Sequence, residues 1–381
     1  MTPLETYLRE LHEIRSTGAG VEEESYYHPL ATLLNEVGKR LKPKVKCVLQ
    51  LANRGAGKPE GGLFTADQFE HLSDAEPLPG QLPARGAIEV KPTKDDAWVI
   101  AEAKQVTKYW NRYRQVLVTN YRDFVLVGQD AESNPAILET YRLAGSEKAF
   151  WQAASSPRST AEKQNDRFVE YLQRVMRHGA PIAAPEDVAW FLASYARDAL
   201  AGIADVELSA LAAVRAALEE ALGLKFEGDK GEHFFRSSLV QTLFYGIFSA
   251  WVLWSRHNPP RSGAGVPPAK EPGQQDAGAT DGATKRFDWR LTAWSLRVPM
   301  ISRLFSLVAD PHQLDALKLS QVLDWTGAVL NRVDRASFFS NFEESHAVQY
   351  FYEPFLEAFD PELRKQLGVW YTPPEIVKYM V

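Results

Sequence analysis

Glu60 follows Pro59 in a glycine-flanked turn, and Glu89 and Lys91 bracket Val90 after an intervening 28 residues, 61 to 88. Two carboxylates and an ammonium are the groups that Mg²⁺-dependent phosphodiester hydrolysis requires. The ion is hard and takes oxygen ligands, so the carboxylates must come close together. A cation then stabilises charge on the attacked phosphate or positions the attacking water. On a strand, residues i and i+2 share a face, so Glu89 and Lys91 project together while Val90 packs into the core. Glu23, at a helix start, is a further carboxylate able to reach the same metal. Both features have blander readings. An isolated Glu-x-Lys triplet is ordinarily a solvated strand face, and Glu22-Glu23-Glu24 is an acidic run of the kind that a helix N-terminus favours. The apolar lead-in Gly86-Ala87-Ile88 and the acidic turn upstream set this triplet apart from chance.

The elements that must position these groups follow from periodicity. Leu4, Tyr7, Leu8, Leu11 and Ile14 lie at helical spacing within residues 1–16, and Tyr27, Leu30, Leu33, Leu34 and Val37 do so within 23–41. After Pro43, the alternation of Val45, Cys47 and Leu49 predicts a strand. A Gly/Pro-rich passage and a polar stretch to Arg85 lead to the strand 86–91. A helix over 98–114 and strands over 115–119, 123–128 and 136–143 follow, with Asn120-Tyr121 at a turn. From about residue 145 the pattern is helical, over 159–176, 185–222 and 230–256. Residues 257–286 are rich in Pro, Gly and Ala with few large apolar side chains, the composition of a disordered insertion. Helical periodicity resumes over 287–359.

Composition narrows the class. Apolar residues make up 45% and charged residues 24% of 381 residues, ordinary for a soluble globular protein of two or three units. The single cysteine, Cys47, can build neither a disulfide framework nor a cysteine-based zinc site, which makes a reducing cytoplasm the natural compartment. The apolar run Leu239–Trp254 contains Gln241, falls short of the length needed to span a bilayer, and reads as a buried helix. The formal net charge of −6 argues against a dedicated nucleic-acid-binding module, but an acidic enzyme can still concentrate positive charge in one cleft. No His-x-x-x-His zinc pair, Walker-type phosphate loop or Gly-x-Ser-x-Gly elbow is present in the sequence.

Residues 16–145 resemble the N-terminal nuclease domain of single-polypeptide restriction-modification enzymes, within the PD-(D/E)xK nucleases. The residues that carry the resemblance are Glu23-Glu24-Ser25-Tyr26-Tyr27, Gly57-Lys58-Pro59-Glu60-Gly61-Gly62, Ile88-Glu89-Val90-Lys91, and Gln105 with Tyr109. The last two match a Gln-x-x-x-Tyr element on the helix after the lysine strand. The segment Leu117 to Phe124 is similar to that family's strand-turn-strand. One departure is clear: the first acid is usually Asp after Pro, whereas here it is Glu60, one methylene longer.

A second resemblance lies at the C-terminus. Tyr352-Glu353-Pro354-Phe355-Leu356, Asp360 to Lys365, and Gly368-Val369-Trp370-Tyr371-Thr372-Pro373-Pro374 look like the entry to N6-adenine DNA methyltransferases. In that family the Tyr-Thr-Pro segment lies against S-adenosylmethionine, which implies cofactor contacts from Tyr371, Thr372 and Pro373. Thr372 before two prolines would also serve as an ordinary helix N-cap. No Gly-rich cofactor loop and no Asn-Pro-Pro-Tyr or Asp-Pro-Pro-Tyr tetrapeptide is found in the sequence.

The resemblances imply an α/β PD-(D/E)xK nuclease-like domain over 1–145 followed by an all-α helical connector. The connector would cover 146–256 and 287–366, with the insertion 257–286 between its parts and a truncated methyltransferase start at 367–381. The implied activity is Mg²⁺-dependent cleavage of double-stranded DNA. Glu60, Glu89 and Glu23 are the metal ligands, and Glu60, Glu89, Lys91 and Gln105 the catalytic set. S-adenosylmethionine would belong to a longer parent, an adenine-specific methyltransferase with target-recognition domains beyond Val381, and is not expected to bind this chain. No membrane partner is expected. The alternative is a catalytically decayed domain that binds DNA or a partner.

Overall fold

The computed structural model describes residues 1–21, 23–53, 55–70, 80–130, 132–204, 206–207, 211–223, 225–259, 286–292, 305–307, 314, 316–342 and 351–361. The chain divides into two compact units, Met1–Ala180 and Pro181–Val381. Most of the expected insertion at 257–286 and the whole segment 367–381, with Tyr371, Thr372 and Pro373, lie outside the described residues.

Helix α1 (Pro3–Ser16) begins at Thr2, whose hydroxyl accepts from the Glu5 N–H at 3.3 Å. Pro3 sits in the first turn, where a missing N–H removes no helical bond. A 3-10 turn at Glu24–Tyr26 runs into α2 (Tyr27–Gly38), which buries Leu30, Leu33, Leu34 and Val37. In β1 (Val45–Leu49), Val45 and Cys47 are buried while Lys46 and Val48 are exposed, the alternation of a strand with one covered face. Burial pushes the Cys47 thiol up to about 12. A thiol-alkylating reagent near neutral pH is therefore expected to leave Cys47 unmodified in the folded chain and to modify it after denaturation. Modification of the native protein at the unfolded rate would contradict this.

Strand β2 (Gly61–Thr65) was not anticipated from the sequence, because Gly61-Gly62 is a poor strand former. Here bare backbone is required by close approach. A Cβ on Gly61 would lie 2.6 Å from Leu49, and one on Gly62 would lie 2.8 Å from both Leu51 and Pro83. Thr65 and Gln68 then form a capping box on the short α3 (Ala66–Phe69).

Strand β3 (Ala87–Val90) pairs in parallel with β4 (Val116–Thr119), and a parallel pair needs a crossover. Helices α4 (Ala97–Ala101) and α5 (Lys104–Tyr113) supply it. Strands β5 (Asp123–Gln129) and β6 (Pro135–Arg142) continue antiparallel, giving a mixed six-stranded sheet in the order β1-β2-β3-β4-β5-β6. The two faces of the central strands separate cleanly. Ile88, Val90, Leu117, Phe124 and Leu126 pack with α1 and α2, whereas Ala87, Val116, Val118, Val125 and Val127 pack with Val106, Tyr109 and Trp110 of α5. This explains why the central strands read as continuous apolar runs rather than alternating ones.

The first unit continues past residue 145. Helices α6 (Glu147–Ala154) and α7 (Pro157–Arg177) contribute Phe150, Trp151, Phe168, Tyr171 and Leu172 to the core that covers the sheet. Tyr171 also donates to the Phe124 carbonyl at 2.9 Å, and buried Arg174 pairs with Glu139 at 2.9 Å. The helical periodicity of this stretch is thus part of the α/β unit.

The second unit is helical among its described residues. It contains α8 (Pro185–Ala204), α9 (Ala212–Leu222), α10 (Gly228–His257), α11 (Ser320–Leu330), α12 (Arg335–Asn341) and α13 (Glu353–Phe359). Within α10, Gly231–His257 is long and apolar enough to cross a membrane by length and composition, with 67% of its most apolar window buried. Leu239, Phe244, Phe248 and Trp251 belong to the unit's core.

Candidate active site

Glu89 reaches the site from β3. It lies on the strand face of Ala87, opposite Ile88 and Val90, which are committed to the α1/α2 core. Lys91 Nζ donates to Glu89 Oε1 at 2.6 Å and to the Val90 carbonyl at 2.9 Å, so the two side chains share a face. Glu89 is 1% exposed, and its second oxygen, Oε2, is buried without a hydrogen-bond partner. A buried carboxylate oxygen left unmatched carries a desolvation cost, and such groups concentrate at binding and catalytic positions.

Glu60 comes from the turn that enters β2. The Gln50 N–H donates to the Glu60 carbonyl at 2.6 Å, which fixes the turn against the end of β1. The Tyr27 hydroxyl, at the start of α2, lies 2.6 Å from Glu60 Oε2 and 3.1 Å from Glu23 Oε1. Tyr27 therefore brings together two carboxylates 37 positions apart in sequence (60 − 23). Glu23 is held from behind as well, since the Tyr121 hydroxyl donates to its carbonyl at 2.5 Å. Tyr121 adopts φ 72°, a left-handed conformation that a bulky residue rarely takes. The surroundings impose it: Tyr7 donates to the Tyr121 carbonyl at 2.8 Å, and the Tyr121 N–H donates to Thr119 Oγ1 at 3.0 Å. Backbone strain of this kind persists only where neighbours over-determine it.

Gln105 is placed one step away from the acids. On α5 it donates to the Tyr109 hydroxyl at 2.8 Å, and Tyr109 donates to the Lys58 carbonyl at 2.9 Å. Gln105 thus secures the Lys58-Pro59-Glu60 turn through Tyr109. Gly57 in that turn adopts φ 106°, which favours glycine, and a Cβ there would lie 3.5 Å from the Tyr109 ring.

The electrostatics tie these groups into one site. Burial raises the Glu89 carboxyl above its ordinary range; Lys91 opposes the rise in part, and the negative charges of Glu60 and Glu23 add to it. Burial pulls the Lys91 ammonium down, but contact with Glu89 and the charges of Glu23 and Glu60 outweigh this and leave it raised. Both partners thus shift upward, as expected where negative charge exceeds positive. Burial, and then Glu60 and Glu23, hold the Tyr27 hydroxyl far above its usual range, so it stays a proton donor.

Glu60, Glu89, Lys91 and Glu23 are therefore coupled electrostatically, with Gln105 in support. Their carboxylates are not gathered as one ligand set. Among the described residues, no group of three or more His, Cys, Asp or Glu side chains is spaced to hold a metal ion. The donor chemistry nevertheless fits Mg²⁺, which keeps several waters and is commonly held by one or two carboxylates together with substrate phosphates. The unmatched Glu89 Oε2 is the oxygen best suited to such an ion. Tyr27 was legible in the sequence as an apolar-face residue of α2 and as the end of the matched segment Glu23 to Tyr27, with no role of its own. Its spacing of four from Glu23 was the available signal, since i and i+4 meet on a helix.

No family model matches the chain, and no curated protein matches it. Among solved structures, the whole chain aligns with a chain of the cryoEM structure of the DrdV–DNA complex at 17% identity and a TM-score of 0.28. The present chain covers 31% of that chain.

Proposed function

We propose that the Met1–Ala180 unit is a PD-(D/E)xK-type nuclease that hydrolyses phosphodiester bonds of double-stranded DNA with Mg²⁺. The observation that carries the reading is the pairing on β3: a buried Glu89 with one unmatched oxygen, and Lys91 on the same strand face. Glu60 and Glu89 would hold the ion, with Glu23 beside them. When bound, Mg²⁺ lowers the pKa of a coordinated water and neutralises charge on the attacked phosphate. Lys91 supplies the cation for a phosphate oxygen, and Gln105 acts through Tyr109 to hold the turn that carries Glu60. On the same reading the compartment is the cytoplasm, and Tyr371, Thr372 and Pro373 belong to an S-adenosylmethionine-dependent adenine methyltransferase; sequence resemblance supports that part. Nicking of supercoiled plasmid in Mg²⁺, compared with Lys91→Ala, tests the nuclease reading.

Tyr27 bears on the longer acid at position 60. A hydroxyl 2.6 Å from Glu60 Oε2 restrains the extra methylene that Glu has over Asp. Tyr27→Phe is expected to raise the Mg²⁺ concentration needed for half-maximal nicking by about 10–100-fold, the usual effect of losing a group that orients a ligand. Adding Glu60→Asp to Tyr27→Phe should recover part of that loss. An unchanged Mg²⁺ requirement in Tyr27→Phe would show that the hydroxyl does not position Glu60.

A second reading, a non-cleaving domain that binds DNA or a partner, is favoured by one observation: the carboxylates engage Tyr27 and Lys91 and are not gathered as a three-ligand metal group. Duplex binding that is indifferent to Mg²⁺, with no nicking, would select it.

A further inference from the structure

The exposed face of α5 has a composition that local helix energetics do not explain. Lys104, Lys108 and Arg112 recur every four residues and are exposed, and no Asp or Glu lies within the helix. At 100° per residue they form one stripe, opposite the buried Val106, Tyr109, Trp110 and Tyr113. Like charges four apart on a helix repel, by about 0.2–0.5 kcal/mol per pair. Lys104 also occupies the first helical position, where the macrodipole favours an acid. Among the described residues none of the three makes an ion pair with a protein carboxylate, although the exposed Glu102 lies two positions before Lys104. The chain as a whole carries a net charge of −6, so this is a local concentration of positive charge on an acidic protein.

The stripe also borders the candidate site. Gln105 lies at its edge, and the Gln105–Tyr109–Lys58 chain of hydrogen bonds fixes α5 to the turn bearing Glu60. Lys58 is itself exposed on that turn. A rigid row of cations, three successive turns long and fixed to the edge of the acids, matches a polyanion with regularly spaced charges.

We infer that Lys104, Lys108 and Arg112 on α5 form a contact surface for the phosphate backbone of duplex DNA, holding it without regard to sequence while the scissile bond lies at Glu89 and Lys91. This rests on the nuclease reading and adds to it where the substrate is gripped. Point-charge contacts to phosphates displace counterions, so each lowers the slope of log K against log salt by about 0.9. They carry no base information.

The test is duplex binding by the full chain in EDTA, where no cleavage intervenes, as a function of salt. The probes are two short DNA duplexes of unrelated sequence and an RNA duplex. The triple variant Lys104→Ala/Lys108→Ala/Arg112→Ala should lose roughly 2.7 from the salt slope, and on the order of a hundredfold in affinity near 0.1 M salt, equally for both DNA sequences. The charge-keeping variant Lys104→Arg/Lys108→Arg/Arg112→Lys should keep the slope, and Lys108→Gln alone should show about a third of the triple variant's loss of slope. An unchanged slope in the triple variant, with plasmid nicking by the wild type intact, would overturn the DNA-contact surface and leave the nuclease reading standing. Tighter binding of RNA than of DNA, or loss confined to one DNA sequence, would also overturn it. A wild-type chain that neither binds duplex nor nicks plasmid would overturn both.

Discussion

In metal-free buffer near neutral pH, Glu89→Gln should melt above the wild-type chain. Burial holds the Glu89 carboxyl above its ordinary value, so the folded state binds its proton more tightly than the unfolded state does. The sign follows by linkage: the stability associated with this group is fully present below the unfolded value near 4.5, and declines as pH rises towards the folded value. The charged form therefore costs stability at neutral pH, and Gln removes that cost while keeping the shape and an acceptor for Lys91. Relieving such a functional-site cost is typically worth on the order of 1 kcal/mol, or about 2–4 °C for a domain of this size. The advantage should vanish below about pH 4, where the wild-type acid is protonated in both states. Mg²⁺ should then reverse the order. At about 100 times its Kd, an ion that binds only the folded chain adds about 2.7 kcal/mol, and this gain belongs to the wild type. A variant that melts below the wild type in EDTA, or that gains as much from Mg²⁺, would refute the assignment of Glu89 as a buried, desolvated metal ligand.

Lys91→Ala should reduce plasmid nicking by about 10²–10³-fold, the usual cost of removing one preorganised group that meets developing charge. It should also destabilise the chain, because Glu89 is 1% exposed and loses the cation 2.6 Å from its Oε1. Removing one member of a buried pair costs about 3–5 kcal/mol. Lys91 is 30% exposed at its side chain, which admits water and places the expected cost at the lower end. The double variant Glu89→Gln/Lys91→Ala tests the stability effect. With no charge left to bury it should regain most of the stability, and it should remain unable to nick. Recovery of nicking in the double variant would contradict the roles given to both Glu89 and Lys91.

The sequence made the strands legible where side-chain alternation or long apolar runs survive, as at Val45, Cys47, Ile88, Val118 and Phe124. It hid β2, because Gly61 and Gly62 have no side chains to alternate; their role appears only when Leu49, Leu51 and Pro83 are seen packing onto the bare backbone. It also could not show that α6 and α7 belong with the sheet, since helical periodicity says which face is buried and not what buries it. Within the site, Glu60, Glu89 and Lys91 stood out by residue type and spacing. Tyr27 lay in the matched segment Glu23 to Tyr27 but without a role: a tyrosine on an apolar helix face looks like core until the hydroxyl is located. Likewise Gln105 was legible as a site residue, but its action through Tyr109 on the Lys58 carbonyl depends on two hydrogen bonds that no sequence pattern encodes.

Conversion of supercoiled plasmid by the purified wild-type chain, in Mg²⁺ and in EDTA beside an identically prepared Lys91→Ala, tests the central claim most directly. Nicked or linear DNA should appear with the wild type in Mg²⁺, disappear in EDTA, and be nearly absent with Lys91→Ala. Supercoiled plasmid left intact by the wild type, or converted equally by both preparations, would contradict the assignment of Glu60, Glu89 and Lys91 as a phosphodiester-cleaving site.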